Sequence, residues 1–225
     1  IRSNNKIIYN PNPAFLVEEI IHQNEGVLSQ TGAVIVETGE HTGRSPNDKF
    51  IVENKLPQDS QIEWGQVNKA ISPDKYQLLK AQVKNHLGQR RIYVQDVIAG
   101  RDEVYARTFR IVSEFAWAAL FSRDLLLPTE LNQEAIPDFT ILHAPRFFAD
   151  PKLHGTRSGT FIIINFAENM ILIGGTFYAG EIKKSVFTVM NRILPGEDVF
   201  PMHCSANIGK KGDPALFFGL SGTGK

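Results

Sequence analysis

At 225 residues the chain has room for one large domain or two small ones, and for a sizeable hydrophobic core. Twenty-four Lys and Arg against 24 Asp and Glu leave no formal net charge, which argues against a nucleic-acid-binding or polybasic membrane-surface role, because both need a cationic excess to meet phosphates. A hydrophobic fraction of 42% with 10% aromatics excludes intrinsic disorder.

A single cysteine, Cys204, permits no internal disulfide and no CxxC motif, so a reducing compartment fits best. No apolar run approaches the roughly 18 residues of a membrane span. The opening residues, IRSNNKIIYNP, carry neither an initiator Met nor a signal-peptide pattern, and the last residue, Lys225, stands inside a glycine-rich motif. The sequence therefore reads as a trimmed piece of a longer chain, and oligomeric state is not legible in it.

In chain order, Asn12 caps a predicted helix with Pro13 at its first position, with Leu16, Val17, Ile20 and Ile21 on one face and Gly26 just beyond its end. AVIVE at 33–37 and FIVE at 50–53 read as strands joined by a polar loop. Ser72 and Pro73 open a second helix carrying Leu78, Leu79, Val83 and Leu87, with Gly88 as its stop. Strands follow at RIYVQDVIAG and VYARTFRIV, then a helix over EFAWAALF with Ser113 as its cap. FTILHA, TFIIINF and MILIGG are further strands, a helix covers roughly 180–193, and strands return at VFPMHCSA and PALFF. Strands alternating with helices and seldom alternating cleanly in polarity predict an α/β fold with a mixed sheet flanked by helices on both faces.

Four stretches carry chemistry. Gly219-Leu220-Ser221-Gly222-Thr223-Gly224-Lys225 is a GxxxxGK phosphate loop placed directly after the apolar run 215–218, the strand-then-glycine-loop context such a site needs. Its glycines let backbone N–H groups turn in around phosphates, and Lys225 would reach the terminal ones. Upstream, His203 ends a predicted strand and reads either as a structural histidine or as a metal ligand, while Cys204, with apolar flanks and no basic neighbours, reads as a small core residue. In GGTFYAGEIKK the strand-to-helix step places Lys183 and Lys184 near a helix start, where the dipole disfavours cations, so they mark either an anion or metal site or a solvated basic patch. The loop His41-Thr-Gly-Arg44-Ser-Pro-Asn-Asp-Lys49 offers Arg44 and Lys49 to a carboxylate, but Ser-Pro-Asn-Asp is equally ordinary turn chemistry.

Taken in order and at these separations, HTGRSPNDKF, LIGGTFYAGEIKKSVF, PMHCSANIG and GDPALFFGLSGTGK resemble the ATP-dependent phosphoenolpyruvate carboxykinases. The likeness is dense over 171–225, clear at 41–50, and thin in the first forty residues and around 123–160. The resemblance implies that residues 1–200 are the N-terminal substrate-binding α/β domain and 201–225 the start of the nucleotide-binding domain. It implies conversion of oxaloacetate and ATP to phosphoenolpyruvate, ADP and CO₂. Carried over by position, Arg44 engages the substrate carboxylate, Tyr178 lines the same pocket, and Lys183 is a neighbouring cation. Lys184 and His203 are ligands of a catalytic Mn²⁺, and Gly219 to Lys225 hold the phosphates of ATP, which comes with Mg²⁺. A ligating Lys184 must be a neutral amine, its pKa lowered by metal and nearby cations. Asn47 stands where the family often has Lys, and the isolated chain is expected to be inactive. A generic phosphate-loop kinase or NTPase would turn over ATP without oxaloacetate, and a non-catalytic metabolite-binding module would bind oxaloacetate without phosphoryl transfer.

Overall fold

The computed structural model describes residues 6–220 and 222–224, the side chain of Gln58 excepted. Its elements in chain order are β1 (Ile7–Tyr9), α1 (Pro13–His22), β2 (Val27–Leu28), β3 (Val34–Ile35), β4 (Lys49–Val52), β5 (Lys69–Ile71), α2 (Pro73–Gly88), β6 (Ile92–Ala99), β7 (Arg107–Ser113), α3 (Ala116–Leu125), β8 (Leu127–Pro128), β9 (Phe139–Ala144), α4 (Pro151–His154), β10 (Phe161–Asn165), β11 (Met170–Gly174), α5 (Gly180–Ile193), β12 (Ser205–Ile208) and β13 (Pro214–Phe217). The chain divides into two compact units, Ile1–Val186 and Phe187–Lys225, with the boundary inside α5. No helix among the described residues is long and apolar enough to cross a membrane.

The first unit is built on one mixed sheet of order β1-β6-β7-β9-β11-β10-β4-β5, with β8 also pairing with β6. Parallel pairs dominate, and the β6/β7, β6/β8 and β10/β11 pairs are antiparallel. This is the α/β architecture with a mixed sheet that the strand composition predicts. In α2, Tyr76, Leu79, Val83 and Leu87 fall on a single stripe, all fully buried. They join one core cluster with Phe50, Val52, Val94, Val112, Leu142, Ile163 and Leu172 from one face of the sheet. The alternate residues Ile111, Ile141, Ile162, Ile164, Ile171 and Ile173 are also buried, so both faces are covered. Burial on both faces is why FIII and MILI are unbroken apolar runs.

Local grammar explains the helix starts. Asn12 Oδ1 accepts the Phe15 N–H at 2.9 Å and Ser72 Oγ accepts the Lys75 N–H at 3.4 Å, each with proline next in sequence. At α3 the structure differs from the sequence expectation. Ser113 ends β7, where its Oγ accepts the Phe115 N–H at 3.1 Å and lies 2.9 Å from Nδ1 of the fully buried His143. The first turn of α3 is capped instead by Glu25, which accepts the Trp117 N–H at 3.1 Å. Burial pushes the His143 imidazole down to about 3, so it is neutral.

Three strand expectations contract, the run that starts at Val104 being strand only from Arg107. Of AVIVE only Val34–Ile35 pairs, with Val27–Leu28 in a small separate ribbon. Of VFPMHCSA only Ser205 onward is strand. In the second unit β12 and β13 form an antiparallel hairpin from Ser205↔Phe217 to Ile208↔Pro214, closed by the Gly209 N–H to Asp213 carbonyl bond at 2.8 Å. Cys204, read as a core residue, is only half-buried, because it precedes a hairpin whose residues are exposed on both faces.

Candidate active site

The antiparallel β10/β11 and parallel β10/β4 pairings bring the end of β11 and the starts of β10 and β4 to one edge of the sheet. Four segments therefore converge there: the 41–48 loop, residues 157–160, the 175–179 turn, and the first turn of α5. The ends of the 41–48 loop are held by side chains far away in sequence. Asp48, 1% exposed, accepts from Arg157 Nε at 2.9 Å and Nη2 at 2.6 Å and from Ser158 Oγ at 2.9 Å. Such a bidentate fork fixes direction as well as distance.

At the other end, Thr160 Oγ1 donates to the Gly175 carbonyl at 2.8 Å and lies 3.1 Å from His41 Nε2. Since the threonine proton is committed, His41 Nε2–H is the donor to it, and the other ring nitrogen, Nδ1, lies 3.3 Å from Ser45 Oγ. Between these anchors the Ser45 N–H donates to Glu181 Oε1 at 2.6 Å. The 41–48 loop is thus tied to the start of the helix that carries Lys183 and Lys184.

Glu181 is buried, and burial pushes its carboxyl above the ordinary range, while the Ser45 N–H and the Arg44 charge pull it back. Lys49 is lowered by burial and by the Arg44 charge against the opposing pull of Glu181. Arg44 itself is exposed and makes no side-chain hydrogen bond among the described residues. A guanidinium held next to a fixed backbone and left with its donors unused can take a carboxylate in a bidentate pair.

Tyr178 is half-buried, its N–H donating to Thr176 Oγ1 at 3.2 Å. Its ring lies directly over Gly180, where a Cβ would overlap Cε1. Gly175 has φ +65° and approaches the Gly159 carbonyl so closely that no Cβ fits, which makes this glycine a requirement of the turn. Helix α5 begins at Gly180 with Glu181 in its first turn, so Lys183 and Lys184 are its fourth and fifth residues, where the dipole penalty has largely faded. Lys183 is exposed and Lys184 half-buried.

His203 and the glycine loop belong to the second unit. His203 is exposed, and its ring meets Phe187 edge-on at 5.6 Å between centroids. In the loop, Gly222 and Gly224 have φ of +83° and +79°, and Thr223 Oγ1 donates to the Leu220 carbonyl at 2.8 Å. Ser221 and Lys225 lie outside the described residues. Among the described residues no group of three or more His, Cys, Asp or Glu could hold a metal ion.

Sequence reasoning singled out Arg44, Tyr178, Lys183 and Lys184 but assigned no role to His41, Asp48, Arg157, Thr160 or Glu181. Asp48 was visible only as turn chemistry, and Arg157 and Thr160 carry no sequence signal.

The sequence model of the phosphoenolpyruvate carboxykinase family matches residues 5–225. Proteins named phosphoenolpyruvate carboxykinase (ATP) are similar throughout the chain. The Bacillus velezensis protein is 53% identical over 93% of this chain and 40% of its own length, and the Bacillus subtilis protein 51% over 96% and 42%. The Thermus thermophilus protein is 45% identical over 100% and 44%. The chain spans well under half the length of these relatives. With a family match that runs from the first described strand to the glycine loop, the chain belongs to the ATP-dependent phosphoenolpyruvate carboxykinase family.

Proposed function

We propose that these residues supply the oxaloacetate-binding part, and the beginning of the nucleotide-binding part, of an enzyme that converts oxaloacetate and ATP to phosphoenolpyruvate, ADP and CO₂. The observation that carries this reading is the Arg44 loop, held at both ends and bonded through Ser45 to Glu181 at the start of α5, with the Arg44 guanidinium making no side-chain hydrogen bond among the described residues. Residues 1–200 form the substrate domain in this reading and 201–225 open the nucleotide domain.

In the reaction, the bond between the methylene carbon and the distal carboxylate of oxaloacetate breaks, and its electrons form the pyruvate enolate. The enolate oxygen then bonds to the γ-phosphorus of ATP as the bond to the β-phosphate oxygen breaks. Arg44 pairs with the carboxylate that departs, holding it for cleavage, and Tyr178 closes the same pocket. Lys183 offsets the negative charge gathered between enolate and phosphate. Backbone N–H groups of Gly219 to Gly224 receive the phosphates, and Lys225 offsets their charge.

Lys184 and His203 are the residues that would contribute to holding a Mn²⁺, since an amine and an imidazole are both nitrogen donors in their neutral forms. Two nitrogens do not fill the shell of a metal that prefers oxygen, so the remaining donors come from outside these two residues. When bound, such a metal supplies Lewis-acid stabilisation of oxygen charge, and Mg²⁺ accompanies the ATP. A cytoplasmic location suits the single cysteine and these small-molecule substrates.

The test is an assay on a chain of the relatives' full length containing these residues, following phosphoenolpyruvate and ADP with oxaloacetate, ATP and Mn²⁺. Formation of both products, dependent on oxaloacetate, is expected. ADP formation that ignores oxaloacetate would replace this reading with a simple NTPase.

A further inference from the structure

Glu181 stands out among the buried groups of the first unit, because the reaction as described gives it no task. It is 5% exposed, yet no Lys or Arg forms an ion pair with it among the described residues. A carboxylate so placed is costly and calls for a reason. A favourable helix dipole answers only in part, since an exposed acid in the first turn would serve the dipole equally well.

The Ser45 N–H that it accepts, at 2.6 Å, belongs to the peptide group that begins at the Arg44 carbonyl. Because that group is planar, fixing its N–H fixes the backbone on the C-terminal side of the Arg44 Cα. Asp48 pins the loop four residues from Arg44, and His41 meets the Ser45 hydroxyl, so neither bonds the Arg44–Ser45 peptide group itself. Glu181 also shares the start of α5 with Lys183 and follows Tyr178 by three residues. One hydrogen bond thereby sets the arginine against the tyrosine and the lysine.

We propose that Glu181 is a positioning residue for substrate binding: its carboxylate locks the Arg44–Ser45 peptide onto the start of α5 and so fixes where the Arg44 guanidinium meets the carboxylate of oxaloacetate. The proposal rests on the carboxykinase reading above. What matters is the reach of the oxygen rather than its charge. Glu181→Gln keeps an oxygen at the same reach, whereas Glu181→Asp keeps the charge but withdraws it by one methylene.

Both variants are to be made in the full-length chain and compared with the parent and with Arg44→Ala. Glu181→Asp is expected to lower kcat/KM for oxaloacetate about tenfold or more, the size of a lost hydrogen bond to a charged group. Glu181→Gln should stay within about threefold of the parent, and the KM for ATP within about twofold in both. In the Arg44→Ala background, Glu181→Asp should cost less than about threefold, because the residue acts through the arginine. A parent without oxaloacetate-dependent product would overturn the carboxykinase reading and this proposal with it. With an active parent, the proposal alone is overturned if Glu181→Asp is harmless, if Glu181→Gln is as damaging, if ATP and oxaloacetate suffer alike, or if the loss persists without Arg44.

Discussion

Replacing Arg44 by Lys separates a substrate arginine from a loop arginine. Arg44 is exposed, with no side-chain hydrogen bond among the described residues to lose, so the folded state has little stake in it and the melting free energy should change by within about 0.5 kcal/mol. The charge that Glu181 and Lys49 experience is also retained. What disappears is the planar fork. An ammonium gives the carboxylate one point contact where the guanidinium gives two, and a charge-assisted bond of this kind is worth about 2–3 kcal/mol. That corresponds to a loss of roughly thirty-fold to 160-fold in kcat/KM for oxaloacetate, with the KM for ATP unmoved. The assay is steady-state phosphoenolpyruvate formation in the full-length chain, with oxaloacetate varied at saturating ATP, and thermal melting of the same preparation. Near parental kcat/KM for oxaloacetate would remove Arg44 from the carboxylate site and weaken the roles given to Tyr178 and Lys183. An equal loss for both substrates with a lowered melt would make Arg44 structural.

The architecture was legible wherever a rule acts over a few residues. Asn12-Pro13 and Ser72-Pro73 mark helix starts because cap and proline act within one turn, and the span of α5 follows from its apolar spacing. The strands at the centre of the sheet announce themselves as apolar runs because both their faces are buried. Ser113 shows where such rules stop. By local grammar it caps α3, but a histidine thirty residues away competes for its hydroxyl, and Glu25, ninety-two residues from the Trp117 whose N–H it accepts, takes over the cap. The site is of the second kind throughout. The bonds that shape the Arg44 loop run from Ser45 to Glu181, from His41 to Thr160 and from Asp48 to Arg157, across 136, 119 and 109 residues. No spacing in the sequence encodes such contacts, so the residues proposed to touch substrate were visible through family resemblance and those that hold them in place were not.

Three further outcomes are expected. Gly180→Ala places a methyl where the Tyr178 ring lies; the ring can swing aside and alanine suits a helix, so the melt should hold while kcat/KM for oxaloacetate falls about tenfold, and an unchanged value would take Tyr178 out of the pocket. Leu79→Ala empties a fully buried position on the α2 stripe and should cost about 2–5 kcal/mol in denaturant unfolding, a loss below about 1 kcal/mol contradicting the packing. Glu25→Gln tests the cap of α3 through its pH dependence. Burial raises the Glu25 carboxyl from 4.5 to about 7, although the Trp117 and Ala116 N–H groups and the Arg146 charge oppose the shift. The folded state therefore holds this proton more tightly than the unfolded chain, so the stability it contributes is complete below pH 4.5 and is lost as pH rises to about 7. Glutamine cannot ionise and its amide oxygen can still accept the Trp117 N–H, so parent and variant should melt together below pH 4.5, diverge as pH rises to about 7 and stay apart above it, with the variant the more stable. Allowing for partial exposure, the gap should reach on the order of 1–2 kcal/mol. A gap that is independent of pH, or a variant that is less stable at pH 8, would show that Glu25 enters the fold as an ordinary ionised carboxylate.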